Sequence, residues 1–391
     1  MDDKIRKRKF ATRAVQSGEV PGDSTGSVTT PIFPSSTYRM AFPGDDSGYV
    51  YSRWSNPTRG ALERALASLE EGTHGFAFSS GLAALHATLS LLKSGDHIVA
   101  VNDLYGGTMR QFEQVMRKFG LDFSYVDGVD SNDFEKAQKQ NTRLFWIETP
   151  TNPLLKLIDI SAVSKIAKKN DILLAVDNTF ATPVIQQPLN LGADIVMHSV
   201  SKYLGGHADV IGGALVVGNK ELAERIGFLQ NAIGATLGPF ESWLVLRGIK
   251  TLQIRVERSC QSAIKIAEYL SNKEMVERIY YPSLDGKPLP NMMSMAGGII
   301  SIDLKADFEA VKSFVMATEL FVLAESLGGV ESLINHPASM THASIPKDVR
   351  EKNGIYDSLV RLSVGLEDID DLIDDLKQAF DRIRSSVAKK S

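Results

Sequence analysis

Ile172-Leu173-Leu174-Ala175-Val176-Asp177-Asn178-Thr179 is an apolar run that ends in a carboxylate. With no polar alternation along it, the run fits a strand covered on both faces, as in a parallel sheet packed between helices. The chain on either side repeats the arrangement. Short apolar runs at 75–78, 97–101, 123–126, 143–148, 194–197 and 213–217 alternate with helical spacings, such as Ala61, Leu62, Ala65, Leu66, Leu69 and Leu82, Leu85, Leu89, Leu92. This predicts an α/β domain with a mostly parallel seven-stranded sheet over residues 59–245. Ser161 is the expected cap of a helix over 161–169, and Gly120 and Gly192 stand where helices should end.

Beyond residue 245 the pattern changes. A long helix from Thr251 to about Leu270 precedes strands at 299–304 and 359–363, and Ile369, Leu372, Leu376, Phe380 and Ile383 give a last helix one apolar face. Residues 246–391 therefore read as a smaller α+β domain. Residues 1–58 carry no strong period and are rich in Pro, Gly, Ser and Thr, the character of an extended arm with a job to do.

Composition narrows the functions. The chain of 391 residues has a net charge of −4 and a single cysteine, Cys260. One thiol makes neither an intramolecular disulfide nor a paired-thiolate metal site, so a reducing cytoplasm is expected and a metal is not. No stretch reaches the ~18 apolar residues of a membrane helix, and the N-terminus lacks the apolar core of a signal peptide. The basic cluster Lys4-Ile5-Arg6-Lys7-Arg8-Lys9 stands alone on an acidic protein and reads as a solvated tail, so no nucleic-acid partner is expected.

Chemistry enters at His198-Ser199-Val200-Ser201-Lys202-Tyr203-Leu204-Gly205-Gly206-His207. A lysine between small hydroxyl residues, just after an apolar strand, suits a Schiff-base amine whose pKa falls on burial. On this segment alone a surface lysine in a polar loop is an equal reading. Asp177 changes the balance, because a carboxylate at the C-terminal end of a parallel strand stands where open α/β sheets bind ligands and needs a cationic partner. The pyridinium nitrogen of pyridoxal phosphate is such a partner, and a lysine Schiff base with an acid on that nitrogen is the pairing this cofactor uses. Ser79-Ser80-Gly81-Leu82-Ala83-Ala84-Leu85 follows a strand and opens a helix, so its amides could receive the phosphate, with Ser199, Ser201 and Arg53 as further donors.

Further motifs extend along the chain: Tyr51-Ser52-Arg53 with Asn56-Pro57-Thr58, Asp103-Leu104-Tyr105-Gly106-Gly107-Thr108, Glu148-Thr149-Pro150-Thr151-Asn152-Pro153, Ser201-Lys202-Tyr203 and Arg361-Leu362-Ser363-Val364-Gly365-Leu366-Glu367. Together they resemble the pyridoxal-phosphate-dependent Cys/Met metabolism family, which holds cystathionine γ-synthase, cystathionine γ-lyase, cystathionine β-lyase and methionine γ-lyase. The resemblance implies an aspartate-aminotransferase-like (fold type I) architecture and small amino-acid substrates. It implies that Lys202 holds the cofactor and shuttles protons, that Asp177 pairs with the ring nitrogen, and that Tyr105 stacks on the ring and assists proton transfer. Asn152 is then placed at the ring hydroxyl oxygen, Ser80, Gly81, Leu82, Ser199 and Ser201 at the phosphate, and Arg361 at the substrate carboxylate with Ser326 nearby. Tyr51 and Arg53 are implied to reach the phosphate of a neighbouring subunit, in a homo-oligomer expected to be a tetramer built as a dimer of dimers, and Tyr51 and Asn152 also to border the substrate. His207 reads as a structural loop histidine.

Within the family, Glu325 matches an acid that faces the distal amino group of cystathionine. Gly107 occupies the place where methionine γ-lyases carry a cysteine. Overall similarity disfavours a β-lyase. The stretch from Phe228-Leu229-Gln230-Asn231 through Arg247-Gly248-Ile249-Lys250-Thr251-Leu252 and the run Met340-Thr341-His342-Ala343-Ser344 are similar to cystathionine γ-lyases, which makes γ-elimination the expected reaction; γ-synthase, methionine γ-lyase and an inactive cofactor-binding relative are the alternatives. Between Tyr281 and Gly298 the chain is shorter than the family pattern and lacks its basic helical segment.

Overall fold

A computed structural model describes residues 3–18, 26–46, 48–284, 289 and 292–387. The run that opened the sequence reading is the middle strand of the larger sheet. That sheet holds β1 (His74–Phe78), β2 (His97–Val101), β3 (Asp122–Val126), β4 (Thr142–Glu148), β5 (Leu173–Asp177), β6 (Ile195–Ser199) and β7 (Gly213–Val217). Their spatial order is β1-β7-β6-β5-β4-β2-β3. Only β7 runs against its neighbours, and every other pairing is parallel. Full burial of β2 and β7 explains why these strands lack a two-residue alternation.

Helices pack against this sheet, and those that follow β1 and β4 begin at the C-terminal edge of the parallel strands, whereas the helix after the reversed β7 begins at the opposite edge. Helix Pro57–Leu69 starts where Asn56 accepts from the amides of Thr58 and Arg59, with Pro57 supplying a preset φ and no amide to satisfy. Helix Ile160–Lys169 is capped by Asp159, which accepts from Ala162, so the expected cap at Ser161 is corrected to a residue two places earlier. Gly120 and Gly192 do end short helices, each with left-handed backbone, but the helices are 3-10 turns.

The second sheet has order β10-β11-β12-β9-β8, with β8 (Val276–Tyr280), β9 (Ile299–Leu304), β10 (Val322–Leu323), β11 (Leu333–Asn335) and β12 (Leu359–Ser363). Sequence periodicity finds β9 and β12. It misses β10 and β11, which are two and three residues long, and β8, where Glu277 and Arg278 break the apolar run. The last helix, Ile369–Val387, lays Leu372, Leu376, Phe380 and Ile383 against Phe314 and Ile302 in a core separate from that of the large sheet. Each such buried side chain stabilises the fold by roughly 1.5–3 kcal/mol relative to exposure.

The arm expected over 1–58 is not irregular throughout, since Asp3–Arg6 and Phe10–Gln16 are helices, while the described residues of 26–56 hold one short bridge, Thr37 with Tyr51, and no other regular structure. Its Phe42 and Trp54 side chains are each 63% exposed. The short departure between 282 and 297 includes residues 285–288, 290 and 291, which lie outside the described residues, as do 1, 2, 19–25 and 47 of the arm.

One backbone contact fixes the edge on which the site is built. A Cβ added to Gly213 of β7 would stand 2.1 Å from the carbonyl oxygen of Ser80. Gly213→Ala is therefore expected to overpack the strand against the turn and lower stability by about 1–3 kcal/mol, seen as a fall in thermal midpoint; an unchanged midpoint would contradict this packing.

Candidate active site

Three strands end side by side at one edge. Asp177 closes β5, Glu148 closes β4 as its cross-strand neighbour, and Ser199 closes β6. Across from them helix Gly81–Leu89 begins, its cap Ser80 accepting from the amide of Ala83. The first amides of such a helix have no intrahelical acceptor and favour an anion. A Cβ on Gly81 would stand 3.1 Å from Ser199 Cβ, so the absence of a side chain keeps the helix start and Ser199 together. Gly81, Leu82 and Ser199 thus share one concave edge. Ser201 is turned differently: its Oγ accepts from the amide of Gly212 at 3.0 Å and donates to the Gly212 carbonyl at 3.3 Å.

Asp177 is buried, and burial raises its pKa. The Thr179 amide donates to its Oδ1 at 3.0 Å and the Thr179 hydroxyl also bonds the carboxylate, both opposing that rise. Thr179 is held in turn by the amide of Ser199, which donates to its Oγ1 at 2.9 Å. Behind the strand, His198 Nε2 lies 2.5 Å from Glu70 Oε1, both side chains 1% exposed. Glu148 is also buried, and burial with Asp177 beside it pushes its pKa well above the carboxylate range. It accepts the backbone N–H of Tyr105 at 2.9 Å. The Tyr105 ring is 39% exposed and folds back over Gly107, where a Cβ would stand 2.3 Å from the ring. Any side chain at 107 would push that ring away.

Lys202 follows β6 and donates from Nζ to Ser326 Oγ at 2.7 Å. Burial, and then the Arg361 charge, lower its pKa to about 8. Arg361, on β12, is buried and bonds Asn152 Oδ1 at 2.8 Å and the Ser326 carbonyl at 3.0 Å. Burial lowers its pKa to about 10, with Glu148 the largest opposing influence. Ser326 has φ +105°, a conformation that favours glycine, and Glu325 beside it is exposed with its charge felt at both Lys202 and Arg361. Tyr51 and Arg53 lie elsewhere on the chain: Arg53 donates to the Asn231 carbonyl and side chain at 3.0 and 2.7 Å and stacks on the Tyr51 ring. His207 Nδ1 bonds the Gly205 carbonyl, a loop role.

Sequence reasoning gave no role to Glu148, Thr179 or His342. Glu148 had a signal, since it ends an apolar strand just as Asp177 does. His342 had none beyond its motif, because its partners are backbone carbonyls of distant loops.

These residues fit pyridoxal phosphate. A buried acid with a raised pKa and no cationic hydrogen-bond partner suits a ring nitrogen, an amine depressed to about 8 suits an aldehyde, and the Gly81 cradle suits a dianion. A family model described as Cys/Met metabolism PLP-dependent enzyme matches residues 11–381. The chain belongs to this family. It is 52% identical to a cystathionine β-lyase of Coxiella burnetii, over 96% of this chain and 98% of that protein. It is 49% identical to a cystathionine γ-lyase of Saccharomyces cerevisiae, over 95% and 97%. The solved structure of cystathionine γ-lyase from Lactobacillus plantarum, complexed with L-serine, superposes with a TM-score of 0.93 at 46% identity, covering 96% of this chain and all of that one. The family is thus PLP-dependent, the fold is type I, and the relatives are carbon–sulfur lyases. Overall similarity does not set the β-lyases apart, because relatives of that name reach 52% identity. Among the described residues no helix is long and apolar enough to cross a membrane, and no cluster of metal-binding side chains occurs.

The depressed Lys202 has a pH signature. Its neutral, nucleophilic fraction grows as pH rises through about 8, well below the ordinary 10.5. The rate at which cofactor-free protein captures pyridoxal phosphate is expected to follow that curve, and Arg361→Met, which removes a cationic neighbour, is expected to move the midpoint upward. A wild-type midpoint near 10.5 would refute the assignment.

Proposed function

We propose that the chain is a cystathionine γ-lyase, splitting cystathionine and water into cysteine, 2-oxobutanoate and ammonia. Glu325 carries the choice of substrate: an acid beside Lys202 and Arg361 suits a molecule with an amino-acid group at each end, one carboxylate going to Arg361 and the far ammonium to Glu325, while the side of sulfur that is cut follows the likeness of 340–344 and 228–252 to γ-lyases. Pyridoxal phosphate, when bound, supplies an aldehyde for the substrate amine and a ring that accepts electrons released at the α-carbon.

The protein's part is to bind, orient and move protons. Ser80, Gly81, Leu82 and Ser199 would receive the phosphate, with Ser201 joining once its hydroxyl turns from Gly212. Asp177, steadied by Thr179, would hold the ring nitrogen charged. Tyr105 would cover the ring, and Asn152 would share its amide between the ring oxygen and Arg361. Lys202 Nζ would take the proton from Cα and later one from Cβ. An amine with a pKa near 8 both accepts and returns protons at neutral pH, and γ-elimination needs that shuttle twice. Ser326 Oγ gives Nζ a fixed resting point.

The exposed Tyr51, Phe42 and Trp54 of the arm support a second copy as the partner, with Tyr51 and Arg53 turning to its phosphate site in a dimer that pairs into a tetramer. The single thiol, Cys260, free and buried, supports a reducing cytoplasm as the compartment.

A second reading has its own support. The β-lyase relatives favour cleavage on the other side of sulfur, giving homocysteine, pyruvate and ammonia. The products of cystathionine alone decide it: 2-oxobutanoate with cysteine upholds the proposal, and pyruvate with homocysteine replaces it. Glu325→Gln is expected to raise the cystathionine KM about fivefold with kcat little changed, the effect of losing an exposed ion contact of about 1 kcal/mol. A fall in kcat at constant KM would remove Glu325 from substrate binding.

A further inference from the structure

His342 is fully buried in the loop between β11 and β12, and the reaction scheme above gives it nothing to do. Its Nε2 faces two backbone carbonyls, Leu104 at 3.1 Å and Asn152 at 3.2 Å. Carbonyl oxygens only accept, so Nε2 carries the hydrogen. Nδ1 lies 2.8 Å from Thr341 Oγ1, and the hydroxyl donates into it, fixing the same tautomer. Burial first, and then the Arg361 charge, lower the His342 pKa to about 4, so the ring is neutral at neutral pH.

The two carbonyls belong to two different parts of the site. Leu104 immediately precedes Tyr105, whose own N–H is held by Glu148. Asn152 presents its side-chain oxygen to Arg361 while its backbone oxygen faces His342. The histidine loop also presses on the tyrosine loop: a Cβ on Gly106 would stand 2.2 Å from the Thr341 carbonyl oxygen. One N–H thus sits between the segment that carries the ring-covering tyrosine and the segment that orients the carboxylate-binding arginine.

We propose that His342 is a positioning residue for the reaction, a neutral N–H donor that ties the Tyr105 loop to the Asn152 loop and holds Tyr105 and Arg361 at one fixed separation. The inference rests on the roles proposed for Tyr105 and Arg361. Freed of the donor, both carbonyls would be buried without a partner, and the two loops would shift independently. A misplacement of about 1 Å is enough to cost a reaction on the order of 100-fold.

The test compares His342→Leu, His342→Gln and Thr341→Val in the cofactor-loaded enzyme. Leucine fills space without a donor, glutamine returns an N–H, and valine removes the hydroxyl that locks the tautomer while keeping its shape. Visible circular dichroism per bound cofactor reports how the ring is held, kcat and KM for cystathionine report its use, and titration of cofactor-free protein reports affinity for pyridoxal phosphate. His342→Leu is expected to lose at least half of the ellipticity per cofactor and about tenfold or more in kcat, with KM raised. His342→Gln should recover most of both, and Thr341→Val should fall between. Wild-type ellipticity and kinetics in His342→Leu overturn the proposal. So do equal losses in the leucine and glutamine variants that merely follow their thermal midpoints. If His342→Leu does not fold, Thr341→Val decides alone, an unchanged ellipticity and kcat being the overturning result. Failure of the wild type to cleave cystathionine would count against the proposed reaction instead, and the ellipticity comparison would still test His342.

Discussion

The site gathers four ionisable groups, three buried and Lys202 half-buried, without pairing them. Lys202 rests on a serine hydroxyl, Arg361 on an amide and a carbonyl, Asp177 on Thr179, and Glu148 on a backbone amide; none of the four makes a salt bridge among the described residues. Burial itself meets part of the cost, since it raises the pKa values of the two carboxyls and lowers those of the amine and the guanidinium, in each case toward the neutral form. The arrangement fits the proposed roles, in which a cofactor ring nitrogen and a substrate carboxylate would supply the opposite charges. The two sheets supply the rigidity: acids at the strand ends of one, the arginine in the strand of the other, and loops between them that carry the lysine and its serine.

The larger sheet was legible because strands such as β2, β5 and β7 are apolar on both faces and so stand out from the helical spacing around them. The same physics hid the smaller sheet. β10 exposes both of its residues and β8 mixes charges into its run, so neither carries a burial pattern to read. The cap at Asp159 shows a finer limit. Ser161 and Asp159 are both good capping types, and only the backbone geometry selects the one whose oxygen reaches Ala162.

At the site, residues recognised by their own chemistry were legible: an amine among hydroxyls, an acid at a strand end, an arginine in a family motif. Residues that act on backbone groups were not. His342 reaches carbonyls 238 and 190 positions away in sequence, and no spacing rule joins them. Ser201 shows the converse, since its position in the motif points to the phosphate whereas its hydroxyl in the structure closes on Gly212. Net charge was equally mute. An overall −4 hides a local pair of cations at Lys202 and Arg361.

Ser326 sets two requirements against each other at a single residue. Glycine would relieve its left-handed backbone, and the strain of keeping serine there is about 1–3 kcal/mol. Yet serine alone brings the oxygen on which the Lys202 amine rests, while its carbonyl steadies Arg361. Selection for a more stable chain would therefore push this position toward glycine, and selection for a well-placed amine would push it back. The serine that stands there gives up backbone ease for the placement of an amine.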